Sequence, residues 1–152
     1  MQFVDDSDFT IEVKLETSLS LGNQMQGVLV EQDGGTWIRF DVFSDGASWH
    51  AFAASMDRHV ADNQVNVEVD TTPSPAPLYL RVARVANQWT LSYTTDPDSV
   101  PWTTAGASFH FPMTVRSAGV FAGNATVTAP AVDAEFDYFF AAAAPIDPED
   151  TP

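Results

Sequence analysis

The chain of 152 residues is long enough for one domain with its own core, and its 45% hydrophobic content argues against a disordered segment. Its 21 acidic residues face six basic ones, which gives a formal net charge of −15. Nucleic acids and anionic membrane surfaces need cationic patches, and membrane insertion needs a long apolar run that this sequence lacks. The composition therefore argues against binding to nucleic acids, binding to anionic membrane surfaces, and insertion into a membrane.

The sequence contains no cysteine, so disulfides, thiol chemistry and zinc-thiolate sites are excluded. Its excess of carboxylates is typical of a salt-adapted, halophilic protein, because dense carboxylates keep a surface hydrated when salt screens repulsion. We therefore expect the fold to gain stability in concentrated salt.

Apolar and polar residues alternate with a period of two along most of the chain, which predicts strands with one buried and one solvated face. The predicted strands lie in DFTIEVKLET (8–17), MQGVLVEQ (25–32), TWIRFDVF (36–43), SWHAFAASM (48–56), QVNVEVD (64–70), LYLRVARVANQWTLSYTTD (78–96, two strands), SAGVFAGN (117–124) and VDAEFDYFF (132–140). About ten strands without a convincing helix predict an all-β fold, an antiparallel two-sheet β-sandwich or jelly roll.

Turn residues separate these strands: Asp33-Gly34-Gly35 predicts a hairpin, and Ala86-Asn87 predicts a tight turn. Proline breaks the pattern twice, in TTPSPAP (71–77), which fits a loop entering a strand, and in PIDPEDTP (145–152). We predict one sandwich domain over residues 1–144, followed by an acidic Pro-rich tail or linker at 145–152. Such a linker is typical of a secreted multidomain protein, so we expect an extracellular or cell-surface location.

The order of five segments resembles the concanavalin A-like lectin/glucanase superfamily. The segments are DFTIEVKLE, QGVLVEQDGGTWIRF, LYLRVARVANQWTLSYTTD with Trp102, SAGVFAG and AEFDYF. The pattern is most similar to the accessory domains at the C-termini of β-xylosidase-like glycosidases and in other secreted proteins. This resemblance implies a jelly-roll domain that recognises a polysaccharide or glycan and works beside neighbouring domains of the same polypeptide.

The sequence departs from the pattern of that superfamily in two places. Its domains usually carry another strand or two ahead of the DFTIEV-like strand, so we expect a sheet that is trimmed or completed by a partner. The loop after LSYTTD usually reads Asp-Gly before the tryptophan, whereas this chain has DPDSVPW (96–102). We expect Trp102 to pack under this loop at a corner of the sheet.

Glycoside hydrolysis needs two carboxyl groups, and glucanases of this superfamily carry an ExDxxE pattern. Glu68 and Asp70 match its first two positions, but Pro73 stands where the third acid belongs. Glu135 and Asp137 match in the same way, with Phe140 in the third position. We predict no catalytic residues and no enzymatic activity, and interpret both pairs as solvated strand faces.

Five residues are candidates for ligand binding, because they should point outward from two strands: Trp37, Arg39, Asp41, Tyr79 and Arg81. If both strands lie in the same concave sheet, the rings can stack on a pyranose while the charged groups bond to its hydroxyls. In the alternative interpretation, the arginines form structural ion pairs with Asp41 and its neighbours, and the rings only cover the sheet.

A calcium ion is the one cofactor to be considered, since the superfamily binds it through loop carboxylates and carbonyls. The candidate clusters are Asp5, Asp6 and Asp8, and the pair Asp96 and Asp98. No EF-hand-like loop is present, and the metal ligands stay unassigned.

The sequence thus favours a non-catalytic, lectin-like carbohydrate-binding accessory module. The alternative is a structural or adhesion module that packs against a neighbouring domain and binds no free sugar. A hydrolase ranks third because its acid pattern is broken.

Overall fold

The computed structural model describes residues 1–60, 64–71, 76–125 and 131–141. The described residues form twelve strands and no helix: β1 (Gln2–Phe3), β2 (Phe9–Leu15), β3 (Gln24–Asp33), β4 (Thr36–Ser44), β5 (Trp49–Met56), β6 (Gln64–Asp70), β7 (Leu78–Val85), β8 (Gln88–Thr94), β9 (Thr103–Thr104), β10 (Phe109–His110), β11 (Ser117–Asn124) and β12 (Phe136–Ala141). Every strand predicted from the period of two is present. Within the described part of the chain, no helix is long and apolar enough to cross a membrane.

The strands form two antiparallel sheets. The first sheet has the order β1-β11-β3-β4-β5-β6. The second has the order β10-β8-β7-β2-β12, with β9 paired to β8. After β2 in the second sheet, the chain builds four consecutive strands of the first sheet (β3 to β6) and then four of the second (β7 to β10). It finishes with β11 in the first sheet and β12 in the second. This is the two-sheet sandwich that the sequence predicts.

Both predicted hairpins are confirmed. Asp33, Gly34 and Gly35 join β3 to β4, and Gly35 donates its backbone N–H to the Asp33 carboxylate over 2.9 Å. Ala86 lies in the turn between β7 and β8 with a positive φ of 52°. Its backbone N–H donates to the Asp8 carboxylate over 2.6 Å, which ties this turn to the segment before β2.

The segment ahead of β2 contributes to the first sheet, at the position where the sequence suggests a trimmed edge. Gln2 and Phe3 pair with Ala118 and Ser117 of β11. A strand is thus present there, but it is only two residues long. Residues 72–75 of the predicted proline-rich loop and the predicted tail at 145–152 lie outside the described residues.

The core lies between the sheets and contains the inward half of each alternating strand. Trp89 of β8 is fully buried and joins the two layers, since its ring centroid lies 5.8 Å from both Phe9 and Phe40. Its indole N–H donates to the Phe111 carbonyl over 2.9 Å, so its polar atom is satisfied. The other fully buried side chains include Ile11, Val13, Leu15, Val28, Val30, Ile38, Val42, Leu78, Leu80 and Val82.

Candidate functional site

The five predicted ligand-binding residues do not form one site. Trp37, Arg39 and Asp41 lie on β4 of the first sheet, whereas Tyr79 and Arg81 lie on β7 of the second. The intervening residues of both strands point into the shared core, so the five side chains project from opposite sides of the sandwich. The condition for a joint site, that both strands lie in the same sheet, is therefore not met. Each sheet has to be considered as a separate candidate surface.

The outer face of the first sheet, here named the Arg39 face, is defined by the register of its strands. Residues paired directly across an antiparallel ladder share a face. Arg39 pairs with Leu29 on one side and Ala54 on the other, and Asp41 pairs with Gly27 and Phe52. The register also places on this face Met25, Glu31, Trp37, Phe43, His50, Met56, Glu68, Asp70 and, on β11, Ser117, Gly119, Phe121 and Gly123.

Asp41 lies at the centre of the Arg39 face and has no solvent exposure, although the alternation placed it on a solvated surface. Gly27 makes room for it, because a Cβ at residue 27 would lie 2.8 Å from the Asp41 Cβ. Burial raises the pKa of Asp41 to about 7, and the nearby Arg39 opposes this shift. A buried carboxyl that changes charge near neutral pH is a feature of functional sites more often than of ordinary surfaces.

The Arg39 side chain lies over this carboxyl group. Its Nε is 3.2 Å from the Asp41 Oδ2, and its Nη1 donates to the Met25 Sδ over 3.1 Å. Its guanidinium carbon lies 4.7 Å from the centroid of the Phe52 ring, which is a cation–π distance. The guanidinium is thus positioned by three neighbours while about a quarter of the side chain, 26%, stays exposed.

The polar atoms of this pair keep unused hydrogen-bonding capacity. Among the described residues, neither Asp41 carboxylate oxygen has a hydrogen-bond partner, and the same holds for the Arg39 Nε. The 3.2 Å ion pair is therefore close in distance but not aligned as a hydrogen bond. Buried polar groups are normally satisfied, so these atoms mark an incomplete hydrogen-bond network directly beneath the exposed part of the Arg39 side chain.

Aromatic side chains flank the pair. Phe43 stacks on the His50 ring at 4.8 Å and contacts Phe52 edge-on at 5.5 Å. His50 in turn contacts the Asp45 carboxylate at 3.1 Å. Trp37 is half-buried at the other end of β4. The Arg39 face thus combines apolar ring surface with a guanidinium and a carboxylate, which is the combination predicted for a pyranose site.

The outer face of the second sheet, here named the Arg81 face, is more fully paired. The Arg81 guanidinium stacks over the Trp102 ring at 3.8 Å, and its Nε and Nη2 lie 2.8 and 2.7 Å from the Glu12 Oε1. Tyr79 contacts Tyr138 at a ring distance of 6.2 Å. Arg81 therefore covers one side of the tryptophan, and its charge is neutralised by Glu12.

Both arginines form ion pairs with carboxylates, as the alternative, structural interpretation of these residues predicts. Arg39 pairs with Asp41 as that alternative states, whereas Arg81 pairs with Glu12 of the adjacent strand β2. The same face carries Lys14, which lies 2.5 Å from Glu16 and 2.7 Å from Asp137.

The acidic pairs weighed for hydrolysis lie on exposed strands. Glu68 and Asp70 are both exposed on the edge strand β6, and Asp137 is bound to Lys14. In the described part of the chain, no group of three or more His, Asp or Glu residues is placed to hold a metal ion. Of the calcium candidates, Asp6 is paired with Arg84 at 2.7 Å and Asp8 accepts from Ala86.

Sequence reasoning did not name Met25, Gly27, Phe43 or Phe52 as contributors to the Arg39 face. The run SWHAFAASM is apolar on both faces, so its periodicity did not assign Phe52 to the outer one. Gly27 interrupts an apolar strand, which is a recognised signal for close backbone approach. That signal could have marked the centre of this face.

No family model matches this chain, and no curated protein matches it either. Solved structures do match. The GH43 protein BlXynB from Bacillus licheniformis has a TM-score of 0.71 and 15% identity, over 88% of this chain and 27% of that one. Xylan β-1,4-xylosidase from Bacillus halodurans C-125 has a TM-score of 0.67 and 16% identity, with the same coverage.

An ancestral congerin, a galectin, matches with a TM-score of 0.52 and 14% identity, over 93% of this chain and 99% of that one. The fold is a concanavalin A-like jelly roll. The predicted superfamily fold is thereby confirmed, at identities that carry the fold alone. The chain spans only 27% of the length of the xylosidase chains that it matches, so their activity belongs to much longer proteins.

Proposed function

We propose that this domain is a non-catalytic carbohydrate-binding module and that its ligand contacts the Arg39 face. The observation that carries the proposal is the Arg39 guanidinium, which is held over the buried Asp41 carboxyl group and against the Phe52 ring while 26% of its side chain stays exposed. A sugar offers hydroxyl groups that accept from the exposed part of the Arg39 guanidinium, and an apolar C–H surface for rings such as Phe43 and Trp37.

The charge distribution favours a neutral glycan. Five of the six basic side chains lie within ion-pair distance of a carboxylate among the described residues: Lys14, Arg39, Arg58, Arg81 and Arg84. With a net charge of −15, the protein repels uronic acids and sulfated sugars at long range. A neutral polysaccharide avoids this repulsion and requires no unpaired cation.

The structural neighbours support a role beside other domains. The matched GH43 proteins contain a sandwich of this fold as about a quarter of their chain, and the congerin is a galectin. We place this module in a secreted or cell-surface protein, where it holds a neutral polymer close to a neighbouring domain. In this role it performs no hydrolysis itself.

The Arg81 face favours the second candidate, a structural module that packs against a neighbouring domain. Trp102, Tyr79 and Tyr138 place three rings on one outer surface, and their charged neighbours are already paired. Aromatic residues with neutralised charges are typical of the centre of protein interfaces. A module of this kind would need no sugar-binding activity.

Affinity electrophoresis through gels that contain one polymer each tests the proposal. Neutral polymers (xylan, β-glucan, galactan) and acidic ones (polygalacturonate, heparin) are compared. We expect retardation by at least one neutral polymer and by no acidic one. Arg39→Lys keeps the charge but removes the planar fork of donors, so we expect affinity to fall about tenfold.

The matched control is Arg81→Lys on the opposite face, which should leave retardation unchanged. Circular dichroism verifies that both variants are folded. If Arg81→Lys abolished retardation and Arg39→Lys did not, the ligand would bind the Arg81 face and the proposal would be contradicted. Mobility unchanged in every gel would favour the structural module.

A further inference from the structure

A second polar site lies at one end of the sandwich, away from the centre of either outer face. It is a cleft of about 370 Å³, here named the Arg84 cleft, lined mainly by Asp6, Gln32, Arg84, Asn87, Met113 and Thr114. Gln32 belongs to the first sheet and Arg84 to the second, while Met113 and Thr114 lie in the segment that connects β10 to β11. The cleft is therefore built where the two sheets meet, at the lower end of the size range of small-molecule sites.

The Arg84 side chain forms the interior of this cleft, with only 6% of its surface exposed. Its Nη1 donates to the Asp6 carboxylate over 2.7 Å and to the Ser7 carbonyl over 3.2 Å. Its Nη2 donates to the Met113 carbonyl over 3.0 Å. The buried Nε has no hydrogen-bond partner among the described residues, so one donor of a fixed guanidinium stays unused.

The other groups of the cleft add both acceptors and donors. Asp6 uses its Oδ1 for Arg84 and for the Val115 N–H at 3.0 Å, while the structure shows no bond to its Oδ2 within the described ranges. The Gln32 Oε1 accepts from the Thr114 backbone N–H over 2.8 Å, which fixes its amide at the rim. Asn87 contributes a further amide. These groups can donate to and accept from the same ligand.

The chemistry of the cleft selects for hydroxyl groups over charged ones. The Asp6 carboxylate already neutralises Arg84, so an incoming anion would face this carboxylate and the net charge of −15. The lining offers no exposed aromatic ring for a flat apolar ligand. A charged pair flanked by amides bonds well to neighbouring hydroxyls, each of which both donates and accepts.

We propose that the Arg84 cleft binds a single neutral sugar residue through its hydroxyl groups, as a site separate from the Arg39 face. The exposed Asp6 Oδ2 accepts from one hydroxyl, and the Arg84 guanidinium, which Asp6 and Met113 hold in place, lines the wall beside it. The side-chain amide of Asn87 contacts the exposed side of the sugar. The proposal rests on the cleft alone and does not depend on binding at the Arg39 face.

The test is a titration of the ¹⁵N-labelled protein by NMR, following the Arg84 Nε–H and the Asn87 side-chain amide. The probes are xylose, glucose and galactose, each to about 100 mM because single-sugar sites are weak. Sodium acetate and sodium sulfate serve as anion controls. We expect at least one sugar to shift both signals in a saturable manner, while neither anion does so.

Asn87→Ala should weaken the saturable shift of the Arg84 signal about fivefold, the equivalent of one hydrogen bond. Gln88→Ala, an exposed neighbour outside the cleft, should not change it. Shifts that persist in the Arg39→Lys protein support a separate site. The proposal is overturned if no sugar shifts the Arg84 signal, if only the anions do, or if the response disappears with Arg39→Lys.

Discussion

Replacing Asp41 by asparagine should change how the stability of the protein depends on pH. Asp41 is fully buried, and its pKa is raised from the ordinary aspartate value of 3.8 to about 7. Between these two pH values, Asp41 is protonated in the folded state and ionised in the unfolded state. The stabilisation is therefore complete below about pH 4 and is lost as the pH rises through 7.

The size of the effect follows from the two pKa values. Each pH unit between them changes the free energy of unfolding by about 1.4 kcal/mol. The ionised Asp41 thus costs the fold up to about 4 kcal/mol, of which about 2.5 kcal/mol develops between pH 5 and pH 8. The pKa of about 7 already includes the opposing effect of the Arg39 guanidinium, so these figures need no further reduction for that contact.

The assay is urea unfolding at pH 5, 6.5 and 8 at constant ionic strength, followed by tryptophan fluorescence. We expect the free energy of unfolding of Asp41→Asn to increase by about 1 to 2.5 kcal/mol relative to that of the wild type as the pH rises from 5 to 8. Asp98→Asn removes an exposed carboxylate and should show no such trend. A difference between wild type and Asp41→Asn that is constant with pH would refute the assignment of a buried, protonated carboxyl group.

Three further changes test the fold and its environment. Gly27→Ala should destabilise the protein by about 1 to 3 kcal/mol in chemical unfolding, because the strands leave no room for a Cβ, whereas Gly123→Ala meets open space and should be nearly neutral. Ala86→Gly should raise stability by about 0.5 to 1 kcal/mol, because residue 86 has a positive φ, while Ala83→Gly within β7 should lower it. The melting temperature should rise between about 0.1 and 2 M NaCl as salt screens the net charge of −15, and a melting temperature independent of salt would remove the salt-adapted interpretation.

The strands were predictable because each one carries its own pattern. Ile38 and Phe40 of β4, like Leu80 and Val82 of β7, alternate with polar residues, and all four are fully buried. Such local alternation states which side of a strand is apolar. The alternation does not predict which sheet a strand joins, because strand pairing depends on contacts between distant parts of the chain. The expected joint site of β4 and β7 failed for this reason.

The candidate site was predicted in part for a similar reason. The alternation correctly directs Arg39 and Asp41 away from the core, but it predicts direction and not exposure. Asp41 is covered because Arg39 folds over it and Phe52 packs beside it, and both contacts depend on neighbouring strands. The Arg84 cleft was beyond prediction altogether, since its walls come from both sheets.

The most direct test of carbohydrate binding at the Arg39 face is a map of amide shift changes in the ¹⁵N-labelled protein. The ligand added to the protein is a short neutral oligosaccharide of the same sugar as the polymer that retards the protein in gels. The proposed function predicts changes concentrated on β4 and β5 around Arg39, Asp41 and Phe52. Changes concentrated instead around Arg81 and Trp102, or no changes with any neutral oligomer, would contradict it.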